Sequence, residues 1–167
     1  MSTPLRLLAL VALATLVVTG CGGPDGPPPG TTPMKDLLAA GRAPLEVVSF
    51  ANAGNPVMPQ FNLALKNVSD AKVTAVQWTA VFTTADGTPV ADGHLDGGYA
   101  ELGGIPAGET LAGRTGAPSG AARGRLVLKS VLYEALPPGA ETNESLRHMT
   151  FAKKWTNPAY EKELSGN

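Results

Sequence analysis

A single cysteine, Cys21, serves the whole 167-residue chain. No intramolecular disulfide is open to it, and no paired-thiol redox or zinc motif. Aromatic residues make up only 5%, so a core has to be built chiefly from aliphatic side chains around a few large rings. The 13 basic residues are matched by 14 acidic ones, and a chain without a clustered basic excess lacks the electrostatic footprint that nucleic acid requires. Beyond the first twenty residues no run approaches the roughly 18 uninterrupted apolar residues of a membrane span. Also missing are a phosphate-binding Gly-rich loop ending in Lys-Ser/Thr, a His-Glu-x-x-His zinc motif and a nucleophile elbow. Ser119 lies in Gly116-Ala117-Pro118-Ser119-Gly120, off the elbow's spacing, with only His94 or His148 to act as its base. These absences lead to the expectation of a non-enzymatic protein with no cofactor.

What the chain does have begins at its N-terminus. One basic residue, Arg6, precedes an apolar stretch from Leu7 to Val18, and Val18-Thr19-Gly20-Cys21 follows with small residues before the cysteine. That order of basic, apolar and small residues is the anatomy of a secretory signal. The segment resembles a bacterial lipoprotein signal, with Val18-Thr19-Gly20-Cys21 in the place of the lipobox. The resemblance implies that the Cys21 thiol takes diacylglycerol, that the chain is cut before it, and that Cys21 becomes the new N-terminus. Two or three acyl chains would then hold the protein stably, where one chain anchors only marginally. By the same resemblance, Gly22 is compatible with sorting to the outer membrane of a two-membrane bacterium. In a one-membrane bacterium the protein would sit on the outer face of the plasma membrane.

Residues 22–32 read Gly-Gly-Pro-Asp-Gly-Pro-Pro-Pro-Gly-Thr-Thr and offer no apolar side chain to a core. They form a tether, extended by proline and loosened by glycine. The organisation is thus a signal over 1–20, a lipidated cysteine and tether over 21–32, and one domain over 33–167. A short helix is expected at the start of the domain, with Thr32 as cap, Pro33 in the first turn, Met34, Leu37 and Leu38 on one face, and Gly41 at its end.

From Leu45 the apolar period becomes two. Leu45, Val47 and Ser49 share one face, and so do Phe61, Leu63 and Leu65. The strongest strand runs from Val73 to Thr84, with Val76, Trp78, Ala80 and Phe82 directed one way and Gln77 and Thr79 the other. Asp86-Gly87 closes a hairpin, since glycine tolerates the positive φ that the turn needs. Further strands are expected over Leu95–Leu102, Glu109–Arg114, Arg125–Tyr133 and Leu146–Phe151, and Asn157-Pro158 opens a short terminal helix. Arg125–Tyr133 is apolar on both faces, as a central strand should be. About seven short strands separated by turns predict an all-β, immunoglobulin-like Greek-key sandwich with short flanking helices. The segments Leu65-Lys66-Asn67-Val68-Ser69, Asp86-Gly87-Thr88-Pro89-Val90 and Ile105-Pro106-Ala107-Gly108-Glu109-Thr110, with the strand through Trp78 and Phe82, resemble bacterial extracytoplasmic immunoglobulin-like domains of the FxLyD type. The resemblance implies a non-catalytic module displayed outside the membrane.

Two groups are candidates for binding. Asp92, His94 and Asp96 alternate, so in a straight strand they project to one side, where two carboxylates and an imidazole could meet a cation. An exposed polar edge is the competing reading. Trp155 and Tyr160 either close the bottom of the sandwich or anchor a partner or glycan. His148-Met149 lacks the further His and Met ligands of a copper site. The leading expectation is a membrane-anchored module that contacts an envelope protein through a sheet edge or loop set. A small-ligand binder, for a metal or a glycan, is the alternative.

Overall fold

Alternation of apolar and polar residues converts directly into two layers. Phe61, Leu63 and Leu65 form one buried row, and Val76, Trp78, Ala80 and Phe82 form the row that faces them. The computed structural model describes residues 27–55, 58–140 and 142–166. The segment expected as a signal, Cys21 and the first part of the expected tether lie outside the described residues. Helix α1 (Met34–Ala39) precedes the strands β1 (Leu45–Asn52), β2 (Gln60–Asn67), β3 (Val73–Thr83), β4 (Pro89–Ile105), β5 (Thr110–Gly116), β6 (Arg123–Ala135) and β7 (Phe151–Thr156). A 3-10 turn (Glu144–Leu146) leads into β7, and helix α2 (Tyr160–Ser165) ends the described chain.

The strands make two sheets of order β1-β2-β5 and β4-β3-β6-β7. Every pairing is antiparallel. The chain changes sheet after β2, again after β4 and again after β5, which is the Greek-key path of an all-β sandwich. The antiparallel order sorts the connections into two ends. The lower end holds the β2–β3, β4–β5 and β6–β7 connections, and the upper end holds β1–β2, β3–β4 and β5–β6. Strand β6 lies between β3 and β7, the central place that its two apolar faces required.

Two clusters fill the interlayer space. The larger joins Leu45, Leu63, Leu65, Val76, Trp78, Leu128, Val131 and Trp155 among others, and the smaller joins Phe61, Ala80, Phe82 and Ala121 near the upper end. The rings of Phe50, Phe61 and Phe82 pack together with centroids 5.0 to 5.9 Å apart, Phe50 stacked on Phe61 and Phe82 edge-on to Phe61. This arrangement depends on Gly124, which lies opposite Phe82. A Cβ there would come within 2.7 Å of Phe50 and 3.1 Å of both other rings.

Bulges correct the simple alternation in three places. In β1 the register shifts between Val47 and Ser49, so Val48 is pushed out to 57% exposure and Phe50, not Ser49, joins the core. The Arg125–Tyr133 segment is broken by a bulge at Lys129, since Gln77 pairs with Ser130 but Trp78 pairs with Leu128. The third case is β4, one strand of 17 residues where a hairpin return and a separate strand from Leu95 were expected. Its pairing with β3 jumps from Pro89 to His94 and again from Ala100 to Ile105. The final strand runs from Phe151 to Thr156 and not over Leu146–Phe151, because residues 144–146 form a turn of 3-10 helix.

The start of α1 also differs from expectation. Pro33 is the N-cap and no side chain of its own segment caps the helix. The carboxylate of Asp70 accepts the Met34 N–H at 2.7 Å instead, and Thr32 forms a parallel bridge with Ser69. The helix thereby docks on the β2–β3 connection and buries Met34 and Leu37. Beneath it the polar residues Asn67 and Ser69 are wholly buried. Asn67 Nδ2 donates to the carbonyls of Ala71, Ile105 and Pro106 at 2.8 to 3.1 Å. Its Oδ1 accepts from the N–H and the hydroxyl of Ser69. One amide side chain therefore ties the β2–β3 and β4–β5 connections together.

Candidate functional site

The Asp92-Gly93-His94-Leu95-Asp96 segment lies on edge strand β4 but does not assemble a three-ligand cradle. Asp92 has φ +52° and falls in the looped-out stretch between Pro89 and His94, which takes it off the line that His94 and Asp96 follow. Gly93 is buried against the backbone carbonyls of Phe82 and Val90, so the local turn is built for close backbone packing. Among the described residues no group of three His, Cys, Asp or Glu side chains is placed to hold a metal ion.

Two of the sequence candidates do meet, on the outer face of the four-stranded sheet. Asp96 lies across from Thr79, and Thr79 Oγ1 donates to Asp96 Oδ1 at 2.5 Å. The Tyr160 hydroxyl lies 2.5 Å from the same Oγ1. Because the Thr79 proton is already committed to Asp96, Tyr160 is the donor in that contact. Lys129, thrown outward by its bulge, sets its Nζ 5.5 Å from the Tyr160 ring centroid, a cation–π contact. Helix α2 is further held by Arg125, which donates to the Leu164 carbonyl at 2.9 Å. Asn157 bridges the Leu128 carbonyl and Glu163. Under this cover Thr79 and Val127 are each 2% exposed, although both point away from the interlayer core. The cluster clamps a helix to a sheet, its hydroxyls engaged with each other and with Asp96.

Trp155 belongs elsewhere. It pairs with Val131, faces the interlayer core and is 8% exposed, while Tyr160 lies on the opposite face of the same sheet. Beside Trp155 an open groove of about 460 Å³ runs between β1 and the β6–β7 pair, floored by Leu45, Val47, Leu126 and Leu128. Arg42, Glu46 and Glu163 stand at its margin. At the lower end a second groove of about 660 Å³ is bounded by Met34, Tyr133, Leu136 and Pro27. Burial pushes the Tyr133 hydroxyl above its ordinary pKa. Its neighbour Glu134 pairs with Lys72 at 2.5 Å. At the upper end, hydrogen bonds from Thr84 and from the Thr88 backbone hold the exposed Asp86 carboxyl below the usual aspartate range, as a hairpin turn requires of its acid.

The described chain enters at the lower end. Pro28 and Thr31 lie against the position where Gly108 would carry a Cβ, and Thr31 donates to the Pro28 carbonyl. Cys21 is outside the described residues. No helix among the described residues is long and apolar enough to cross a membrane. Sequence reasoning missed Thr79 and Lys129 as partners of Asp96 and Tyr160. The available signal was a polar residue within the strong strand and a terminal helix needing a surface to cover. No family model, curated protein or solved structure matches the chain.

Proposed function

We propose that this chain is a lipid-anchored, non-catalytic lipoprotein of the bacterial envelope whose sandwich serves as a protein-binding module. The observation that carries the reading is the polarity of the domain. The chain arrives at the lower end through residues 27–32, which pack beside Ser69 and Gly108. A lipid on Cys21 would hold that end toward the bilayer, with the sheet edges standing along its normal and the upper connections outermost. A tether of this kind raises the effective concentration of the domain for a neighbour in the same envelope. The small-ligand alternative is weakened by the separation of Asp92 from His94 and Asp96 and by the burial of Trp155 in the core.

Metabolic labelling with a clickable fatty acid tests the anchor. The wild-type chain should take up label, while Cys21→Ala should take up none and remain uncleaved at that site, because no other thiol exists. Label on the mutant would overturn the lipoprotein reading.

A further inference from the structure

The sandwich has four edge strands, β1, β5, β4 and β7, and an edge is a row of unpaired backbone donors and acceptors unless something interrupts it. Three of the four are interrupted. A bulge breaks β1 at Val48, two register jumps and the positive φ of Asp92 break β4, and β7 is short and carries Lys153 and Lys154. Strand β5 has no such device. It pairs with β2 without a register shift from Gln60↔Gly116 to Lys66↔Thr110, contains no proline, and carries one charge, Arg114.

The ladder fixes which backbone groups point outward. Asn67 N–H donates to the Glu109 carbonyl at 2.8 Å, so Lys66 and Thr110 form a non-hydrogen-bonded pair and the bonds to β2 belong to Leu111, Gly113 and Thr115. The N–H and C=O groups of Thr110, Ala112 and Arg114 therefore face the open edge. Beside the lower half of β5 is a groove of about 330 Å³ bordered by Tyr99, Ile105 and Leu111. On the outer face Arg114 Nε donates to Asn62 Oδ1 at 3.0 Å, and among the described residues it makes no ion pair.

We infer that the β5 edge receives an extended segment of another protein as an added antiparallel strand. The segment carries a carboxylate opposite Arg114 and, three residues further on, an apolar side chain opposite Leu111. Residues opposite each other share a face, so the carboxylate meets Arg114 outside while the apolar side chain enters the groove beside Tyr99. The inference rests on the protein-binding reading above and names its surface. A second copy of this chain fits less well. Two β5 strands paired antiparallel would turn one domain end for end, against two tethers rooted in one membrane.

The test places the photo-crosslinker p-benzoylphenylalanine singly at Thr110, Val48, Asp86 and Lys154 of the full-length chain in its own cells, with adducts mapped by mass spectrometry. The Thr110 position should give an adduct to a segment with the acidic and apolar spacing stated. A synthetic peptide of that segment should slow amide exchange at Ala112 and Arg114 in the chain from residue 22. Ala112→Pro removes one edge N–H without touching the β2 ladder, and should cut the Thr110 adduct about tenfold, the equivalent of one lost hydrogen bond. Arg114→Glu, at an exposed position, should lower it as well. An adduct to a second copy of the chain, or one indifferent to both substitutions, overturns the inference. Adducts from Val48, Asp86 or Lys154 with none from Thr110 overturn it while leaving the protein-binding reading intact. No adduct at any position overturns both.

Discussion

Asn67 shows what a buried amide can do where two loops meet. With both ends of its side chain satisfied inside the protein, it supplies a partner to each of the carbonyls of Ala71, Ile105 and Pro106, which lie at or beyond the ends of their strands. A hydrogen bond contributes about 0.5–1.5 kcal/mol net, and Asn67→Ala would remove five at once, although the Ala71 carbonyl keeps the Ser69 hydroxyl and the Pro106 carbonyl keeps the Glu109 N–H. We expect that variant to lose at least about 3 kcal/mol of stability, read as a fall in the urea midpoint with the slope unchanged. Exchange protection at Gly108 and Glu109 should drop most, because their turn is the one the amide pins. An unchanged midpoint would mean that water replaces the amide without loss.

At the scale of elements, the informative unit is α2. A helix of six residues is too short to be stable alone, so its geometry depends on the surface beneath it. Tyr160, Thr79 and Asp96 form a chain of hydrogen bonds across helix and sheet. Thr79→Val keeps the shape and removes the hydroxyl. The variant should cost about 1–2 kcal/mol and increase exchange of the α2 amides while β2 and β5 stay protected. Tyr160→Phe should cost less than Thr79→Val. In a double-mutant cycle the two should be non-additive, because they remove the same bond. Additive losses would show that Thr79 and Tyr160 act separately.

For the whole molecule, the decisive fact is that residues Met34 to Trp155 build a core between two sheets by themselves. Among the described residues, both hydrophobic clusters fall within that range, and every strand lies between Leu45 and Thr156. The chain from residue 22 onward should accordingly melt with the same urea midpoint as the proposed lipidated form in detergent. A lower midpoint for the lipid-free chain would assign the anchor a part in folding.

Sequence alone determined much of this. Period-two alternation marked the rows Phe61–Leu65 and Val76–Phe82, Asp86-Gly87 marked the hairpin, and the apolar faces of residues 125–133 marked a central strand, because burial on one or both faces leaves a direct trace in the order of residues. It also supplied Cys21 and its small neighbours, the basis of the anchoring proposal. Bulges leave no such trace. Whether Ser49 or Phe50 turns inward depends on one extra residue at Val48, and Asp92 leaves the line of His94 and Asp96 because β4 loops out three extra residues between Pro89 and His94. The burial of Asn67 and Thr79 was likewise decided by tertiary structure, since a polar side chain goes inside only when distant carbonyls, a carboxylate and a phenol converge to satisfy it. The open edge of β5 belongs to the same class: a strand becomes an edge through the order of its neighbours, which no local pattern encodes.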